Sequence, residues 1–158
     1  MNNSGQFQYV LPSPVGRLGL KLSTKGVRQI SYISDNTPLN IPQGGLALEV
    51  FQQLDDYFEL RRTEFSLPLD IEGTPYQQKV WRAVSAIPYG KYKAYGDIAK
   101  KIRSGPRAVG NACRHNPIPI IIPCHRVTKK NSVGGYCGST QAAKVQQKDW
   151  LLQHEQTH

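Results

Sequence analysis

Three cysteines are present, Cys113, Cys124 and Cys137, and one of them stands in a setting that suggests chemistry, the run Pro123-Cys124-His125. A thiol attacks as its thiolate, and apolar surroundings hold a cysteine above its reference pKa of about 8.5 unless a base or a cation lies close. The approach from Asn116 carries three prolines and the run Ile120-Ile121-Ile122, so Cys124 is expected on a rigid, largely internal turn. His125 is the neighbouring base. If the two residues lie on a strand, their side chains point to opposite faces, and a bridging water has to carry the proton. An imidazole in this role needs a carboxylate to orient it. Only Asp149 and Glu155 follow Cys124, on a helix whose Val145, Leu151 and Leu152 are expected to form the buried side. Glu155 is the choice, because Leu151-Leu152 would anchor its end of the helix. Taken alone, Pro-Cys-His more often marks a structural buried cysteine beside an incidental histidine.

The remaining composition narrows the class. An odd number of cysteines without a C-x-x-C pair gives neither a disulfide framework nor a zinc cluster. At 158 residues the chain holds one compact domain or two small lobes. Hydrophobic content of 39% is ordinary for a globular protein, and no run approaches the roughly 20 apolar residues of a membrane span. The polar start, Met1 to Phe7, lacks the features of a secretory signal, so an intracellular, cytoplasmic location is expected, or a nuclear one in a eukaryote. A net charge of +9 and a pI near 9.6 favour a polyanionic partner. Acids predominate between Glu49 and Glu72, whereas Lys91, Lys93, Lys100, Lys101, Arg103, Arg107 and Arg114 face Asp97 alone. Such a cluster is the footprint of phosphate contacts and, equally, the pattern of a solvated helix surface.

The elements that must position these residues fall into two halves. Phe7, Tyr9 and Leu11 alternate with polar residues, as do Leu18, Leu20 and Leu22, and Val27, Ile30 and Tyr32 follow a Lys25-Gly26 turn. This predicts a short antiparallel sheet. Leu46, Val50, Phe51, Leu54, Tyr57 and Phe58 recur at helical spacing and predict one amphipathic helix upon it. Phe65, Leu67 and Leu69 then suggest another strand or an extended linker, with a boundary near Ile71 that divides the chain into 1–70 and 71–158.

In the second half Thr74-Pro75 is an N-cap followed by proline at the first helical position, and Val80, Trp81 and Val84 give an apolar stripe until Pro88 and Gly90. A short helix from about Tyr95, the turn Ser104-Gly105-Pro106 and a helix from Arg107 to about His115 have the form of a helix-turn-helix. On its second helix Ala108, Gly110, Asn111 and Ala112 are small. Small residues serve tight helix packing or a close approach of backbone to nucleic acid. The fold expected is therefore α+β, an N-terminal antiparallel sheet with a helix followed by a mostly helical, winged helix-turn-helix-like domain.

Asn116 to Val127, NPIPIIIPCHRV, resembles the active-site signature of the O6-alkylguanine-DNA alkyltransferases. Other landmarks follow in the family's order: Ser13-Pro14-Val15-Gly16, Gly73-Thr74-Pro75-Tyr76-Gln77, Tyr95, Arg107-Ala108-Val109-Gly110, Val133-Gly134-Gly135-Tyr136 and Lys148 to Glu155. The resemblance implies direct, single-use repair, in which the alkyl group of O6-alkylguanine moves irreversibly to Cys124. Double-stranded DNA would be held at the minor groove by a monomer, through Arg107, Ala108, Gly110, Ala112 and Tyr95, with Arg107 filling the stack behind a flipped guanine. Asn116, Pro117, Val133, Tyr136 and the backbone amide of Cys137 would surround the base. Glu155 would orient His125, His125 would take the Cys124 proton through water, and Tyr95 would protonate the departing base. Displacement at the alkyl carbon needs neither metal nor cofactor.

Three departures from the family pattern are visible, one of them a short turn before Arg107. The stretch from Cys137 to Gln147 is longer than the resemblance leads one to expect, and Cys137 stands in place of serine. Two other functions compete. A non-catalytic alkylated-guanine binding protein would flip the base without accepting the group, and such proteins lack the reactive cysteine. A Cys-His hydrolase would need an oxyanion hole that the sequence does not reveal.

Overall fold

A computed structural model describes residues 7–130, 134, 136 and 142–156. The chain divides into two compact units, Met1–Ile71 and Glu72–His158.

The first unit is built on three antiparallel strands, β1 (Tyr9–Leu11), β2 (Arg17–Leu22) and β3 (Val27–Ile33), in the order β1-β2-β3. Leu18 pairs with Tyr32 and Leu20 with Ile30, which sets the alternation that the sequence displays. Alternation fails in β1, where adjacent Val10 and Leu11 are both buried, and Asn40 pairs with Val10 on its free edge. The helix α1 (Gly45–Phe58) buries Val50, Leu54 and Tyr57, as its spacing predicts, and Ala47 besides, while Leu46, Phe51 and Phe58 are only half-buried. It also buries Gln53, whose amide exchanges two hydrogen bonds with the Ser66 backbone, at 3.1 and 2.9 Å. That clamp holds the segment carrying Phe65, Leu67 and Leu69. The segment runs extended and forms one bridge, Val27 to Leu69. Gly26 is required there, since a Cβ at this position would stand 2.5 Å from the Pro68 carbonyl oxygen.

The second unit opens with α2 (Pro75–Ser85). Thr74 and Gln77 cap it reciprocally, the Gln77 amide donating to the Thr74 hydroxyl at 3.0 Å and Thr74 N–H donating to Gln77 Oε1 at 2.9 Å. Val80, Trp81, Ala83 and Val84 form its buried side. A two-residue strand, β4 (Lys93–Ala94), leads into α3 (Tyr95–Lys101), and the turn at Ser104-Gly105 leads into α4 (Pro106–Arg114). These two helices pack together as the helix-turn-helix pattern requires. The chain then loops to a single 3-10 turn, Cys124–Arg126, continues as β5 (Val127–Thr128) parallel to β4, and ends in α5 (Ala142–Gln156). Among the described residues no helix is long and apolar enough to cross a membrane.

Two expectations need correction. Cys124 and His125 do not lie on a strand. Pro123 sets up the 3-10 turn, closed by Arg126 N–H donating to the Pro123 carbonyl at 2.9 Å, and pairing begins only at Val127. The buried side of α5 is also different: Lys148, Leu151 and Glu155 face inwards at helical spacing, while Val145 and Leu152 are only half-buried. Two of the three inward positions are ionisable, so this helix has no continuous apolar stripe.

Candidate active site

The loop that delivers Cys124 is strained and held by Asn116. Ile120 has φ 76°, a left-handed conformation that crowds a β-branched side chain and costs of order 1–2 kcal/mol. Asn116 offsets this with both ends of its amide: Nδ2 donates to the Ile122 carbonyl at 2.8 Å, and Oδ1 accepts from Ile118 N–H at 2.9 Å. Ile118, Ile120 and Ile122 are buried beneath the loop. Pro117 is half-buried beside it.

Cys124 is 6% exposed and His125 not exposed at all. The His125 Nε2 lies 2.7 Å from Glu155 Oε2. The same carboxylate receives Arg126 through Nε to Oε1 at 2.9 Å and Nη2 to Oε2 at 3.0 Å, a two-point guanidinium grip. Arg126 Nη1 donates to the Ile87 carbonyl at 2.8 Å, and the Gly90 amide donates to Glu155 Oε1 at 3.3 Å. Burial acts to raise the Glu155 carboxyl. Hydrogen bonds from His125 and Arg126, with their charges, outweigh it and hold Glu155 well below the usual carboxylate range. Burial pushes His125 the other way, below its ordinary value, against the opposing pull of Glu155. The imidazole is thus neutral. Its Nε2 hydrogen goes to the carboxylate, so the lone pair is on Nδ1, a buried atom without a hydrogen-bond partner among the described residues.

Tyr95, Cys113 and Lys148 also lie near Cys124. Lys148 is wholly buried; its Nζ donates to the Val127 carbonyl at 2.6 Å and to the Tyr95 hydroxyl at 3.4 Å. Burial, then the charges of Cys113 and Cys124, push the Tyr95 phenol up, so it keeps its proton. Tyr95 also lines a cavity of about 700 Å³ with Arg107, Gly110, Pro106, Thr128 and Lys129.

The other site residues of the sequence reading divide. Arg107 and Ala108 are exposed on α4 and Gly110 is half-exposed. A methyl on Gly110 would meet the Tyr95 ring at 3.9 Å, ordinary contact, so packing alone does not demand glycine there. Ala112 does not share that face. It is 1% exposed and turned into the core, and its carbonyl accepts from Trp81 Nε1 at 2.9 Å, so its small size serves helix packing. Asn111 and Arg114 are the exposed residues further along α4. Tyr136 is buried, whereas Val133 and Cys137 lie outside the described residues.

The sequence reading overlooked Arg126 and Lys148. Both had a signal. Arg126 directly follows the proposed base in an apolar setting where a cation needs a carboxylate, and Lys148 precedes Leu151 and Glu155 by helical spacing on the inward face.

Residues 75–157 match the model of the 6-O-methylguanine DNA methyltransferase DNA binding domain, and residues 8–71 that of the ribonuclease-like domain of the same proteins. The chain belongs to the 6-O-methylguanine DNA methyltransferase family. Within that family it is 51% identical over 100 residues to the constitutive methylated-DNA–protein-cysteine methyltransferase of Bacillus subtilis, an alignment spanning 61% of each chain. The methylated-DNA–protein-cysteine methyltransferase of Methanosarcina acetivorans is 35% identical over 154 residues, 92% of this chain and 96% of that one. Among solved structures, the Mycobacterium tuberculosis member of the methyltransferase family crystallised with DNA superposes with a TM-score of 0.80 at 37% identity, covering 94% of this chain and 91% of that one.

Proposed function

We propose that this chain repairs DNA directly, by moving the alkyl group of O6-alkylguanine onto Cys124, once per molecule. The observation that carries the reading is the buried His125, adjacent to Cys124, held neutral with Glu155 on Nε2 and its lone pair on Nδ1. Nδ1 takes the Cys124 proton through a water molecule. The thiolate attacks the alkyl carbon, an S–C bond forms, the C–O6 bond breaks, and guanine departs as an anion. Tyr95, kept protonated, supplies its proton to that base; Lys148 donates to the phenol oxygen and so leaves the phenol hydrogen for the substrate. The thioether is stable, and each chain reacts once.

Double-stranded DNA is the partner in this reading, a role supported by the match to a DNA binding domain and by the DNA complex of the mycobacterial relative. The chain acts as a monomer from the minor groove, with Arg107 and Ala108 on the exposed face of α4. Arg107 replaces the extruded guanine in the stack, and the base enters the cavity bordered by Tyr95 and Gly110. Asn116 and Pro117 fix the loop behind Cys124. Residues 71–158 carry all of this chemistry. Because Cys124, His125 and Glu155 are assembled together, transfer is favoured over lesion binding without chemistry.

Stoichiometry tests the reading. With excess duplex containing O6-methylguanine, repair stops at one equivalent per chain. Continued turnover, or binding with no loss of the lesion, rejects it.

A further inference from the structure

Cys113 has no role in the reaction above, yet it is placed beside the acceptor. Ten residues separate Cys113 from Cys124, and hydrogen bonds fold them back. Asn116 N–H donates to the Cys113 carbonyl at 3.2 Å, Asn116 Nδ2 donates to the Ile122 carbonyl at 2.8 Å, and Cys124 N–H donates to that same carbonyl at 2.8 Å. The end of α4 and the start of the 3-10 turn are therefore tied through one asparagine. Cys113 and Cys124 are both buried, 8% and 6% exposed, and neither is in a disulfide. Their sulfurs interact: a hydrogen bond with Cys124, aided by the charge of Lys148, holds the Cys113 thiol below its usual range against the opposing effect of burial. Among the described residues Tyr95 and Lys148 also act on the pair, and neither is a carboxylate that would repel a thiolate.

We propose that Cys113 and Cys124 form an oxidation-sensitive pair, in which Cys113 resolves an oxidised Cys124 as a reversible disulfide. A hydroperoxide is the oxidant. The Cys124 thiolate attacks its terminal oxygen and the O–O bond breaks, giving the sulfenic acid and water or an alcohol. The Cys113 thiolate then attacks the Cys124 sulfur, an S–S bond forms, and hydroxide leaves and is protonated to water. The two thiols lose two electrons and two protons in all, and the peroxide is reduced. Rigid placement makes the second step intramolecular, which keeps Cys124 from advancing to the irreversible sulfinic acid. That the disulfide silences repair rests on Cys124 being the alkyl acceptor; the disulfide itself does not.

The test treats the full chain with hydrogen peroxide, blocks remaining thiols by alkylation and maps peptides without reduction. The Cys113 and Cys124 peptides are expected to be joined, to separate with dithiothreitol, and to regain acceptor capacity. In Cys113→Ser, Cys124 advances to the sulfinic acid and the regained capacity falls by about fivefold or more. Cys137→Ser leaves the linkage unchanged. Cys124 recovered from the parent chain as sulfinic acid, or joined to Cys137, overturns the proposal. Should Cys113→Ser fail to fold, the parent peptide map decides by itself. A linked pair in a chain that, reduced, accepts no alkyl group would instead overturn the repair reading.

Discussion

His125 meets Glu155 at 2.7 Å with its imidazole wholly buried, and the same carboxylate is gripped at two points by Arg126. One acid therefore orients a base and neutralises a buried cation. Glu155→Gln removes the negative charge that serves both. It is expected to cost about 3 kcal/mol of stability, because Arg126 is left buried without its counter-charge. Reaction of the surviving folded protein with O6-benzylguanine should slow by roughly 10²-fold. Denaturant melts and single-turnover rates check the two effects separately; an unchanged rate would remove Glu155 from the proton path.

Acid should destabilise the protein in two stages. His125 and Glu155 both have folded values below their ordinary values of 6.5 and 4.5. For each, between the folded and the ordinary value, the unfolded chain binds the extra proton, so stability rises with pH. The His125 contribution is complete above about pH 6.5 and is lost as pH falls towards its folded value; the Glu155 contribution follows the same course below about pH 4.5. Urea melts across this range should show the midpoint falling first below neutrality, and His125→Asn should abolish that upper stage. A flat midpoint from pH 7 to about pH 5 contradicts a buried neutral imidazole.

Tyr95→Phe keeps the ring against Gly110 and deletes the hydroxyl, the proposed proton donor, which also accepts from Lys148 Nζ. Transfer from alkylguanine should slow by roughly 10²-fold. The loss should shrink for substrates whose departing group needs no proton. An equal loss on both kinds of substrate would make Tyr95 a packing residue instead.

Arg107→Ala should weaken repair of duplex DNA by about tenfold or more while leaving reaction with free O6-benzylguanine within about twofold, since the proposed task of Arg107 is to fill the base stack. Competition assays with the two substrates measure this. Equal losses would place Arg107 in the pocket chemistry.

Much of this was legible in the sequence where a short-range rule governs. The cap at Thr74-Pro75, the turn at Lys25-Gly26 and the apolar periods of β2, β3, α1 and α2 each follow from local chemistry. Glu155 could be chosen because few acids follow Cys124. Long-range pairing was not legible in the same way. Arg126 and Lys148 look like surface cations until the carboxylate and carbonyls that receive them are known. Ala112 looks like its neighbour Gly110 until the helix is oriented, when one proves to be core and the other cavity wall. The strand expected at Cys124 became a 3-10 turn because Pro123 and the left-handed Ile120 bend the chain just before it.

Repair by this route leaves the alkyl carbon on one named sulfur. Duplex DNA carrying guanine with an isotopically labelled O6-methyl group is incubated with the chain, and the peptides are mapped by mass. One label per chain is expected, on Cys124, and none anywhere in Cys124→Ala. Label that stays in the DNA, or that arrives on Cys113 or Cys137 while Cys124 remains unmodified, contradicts it.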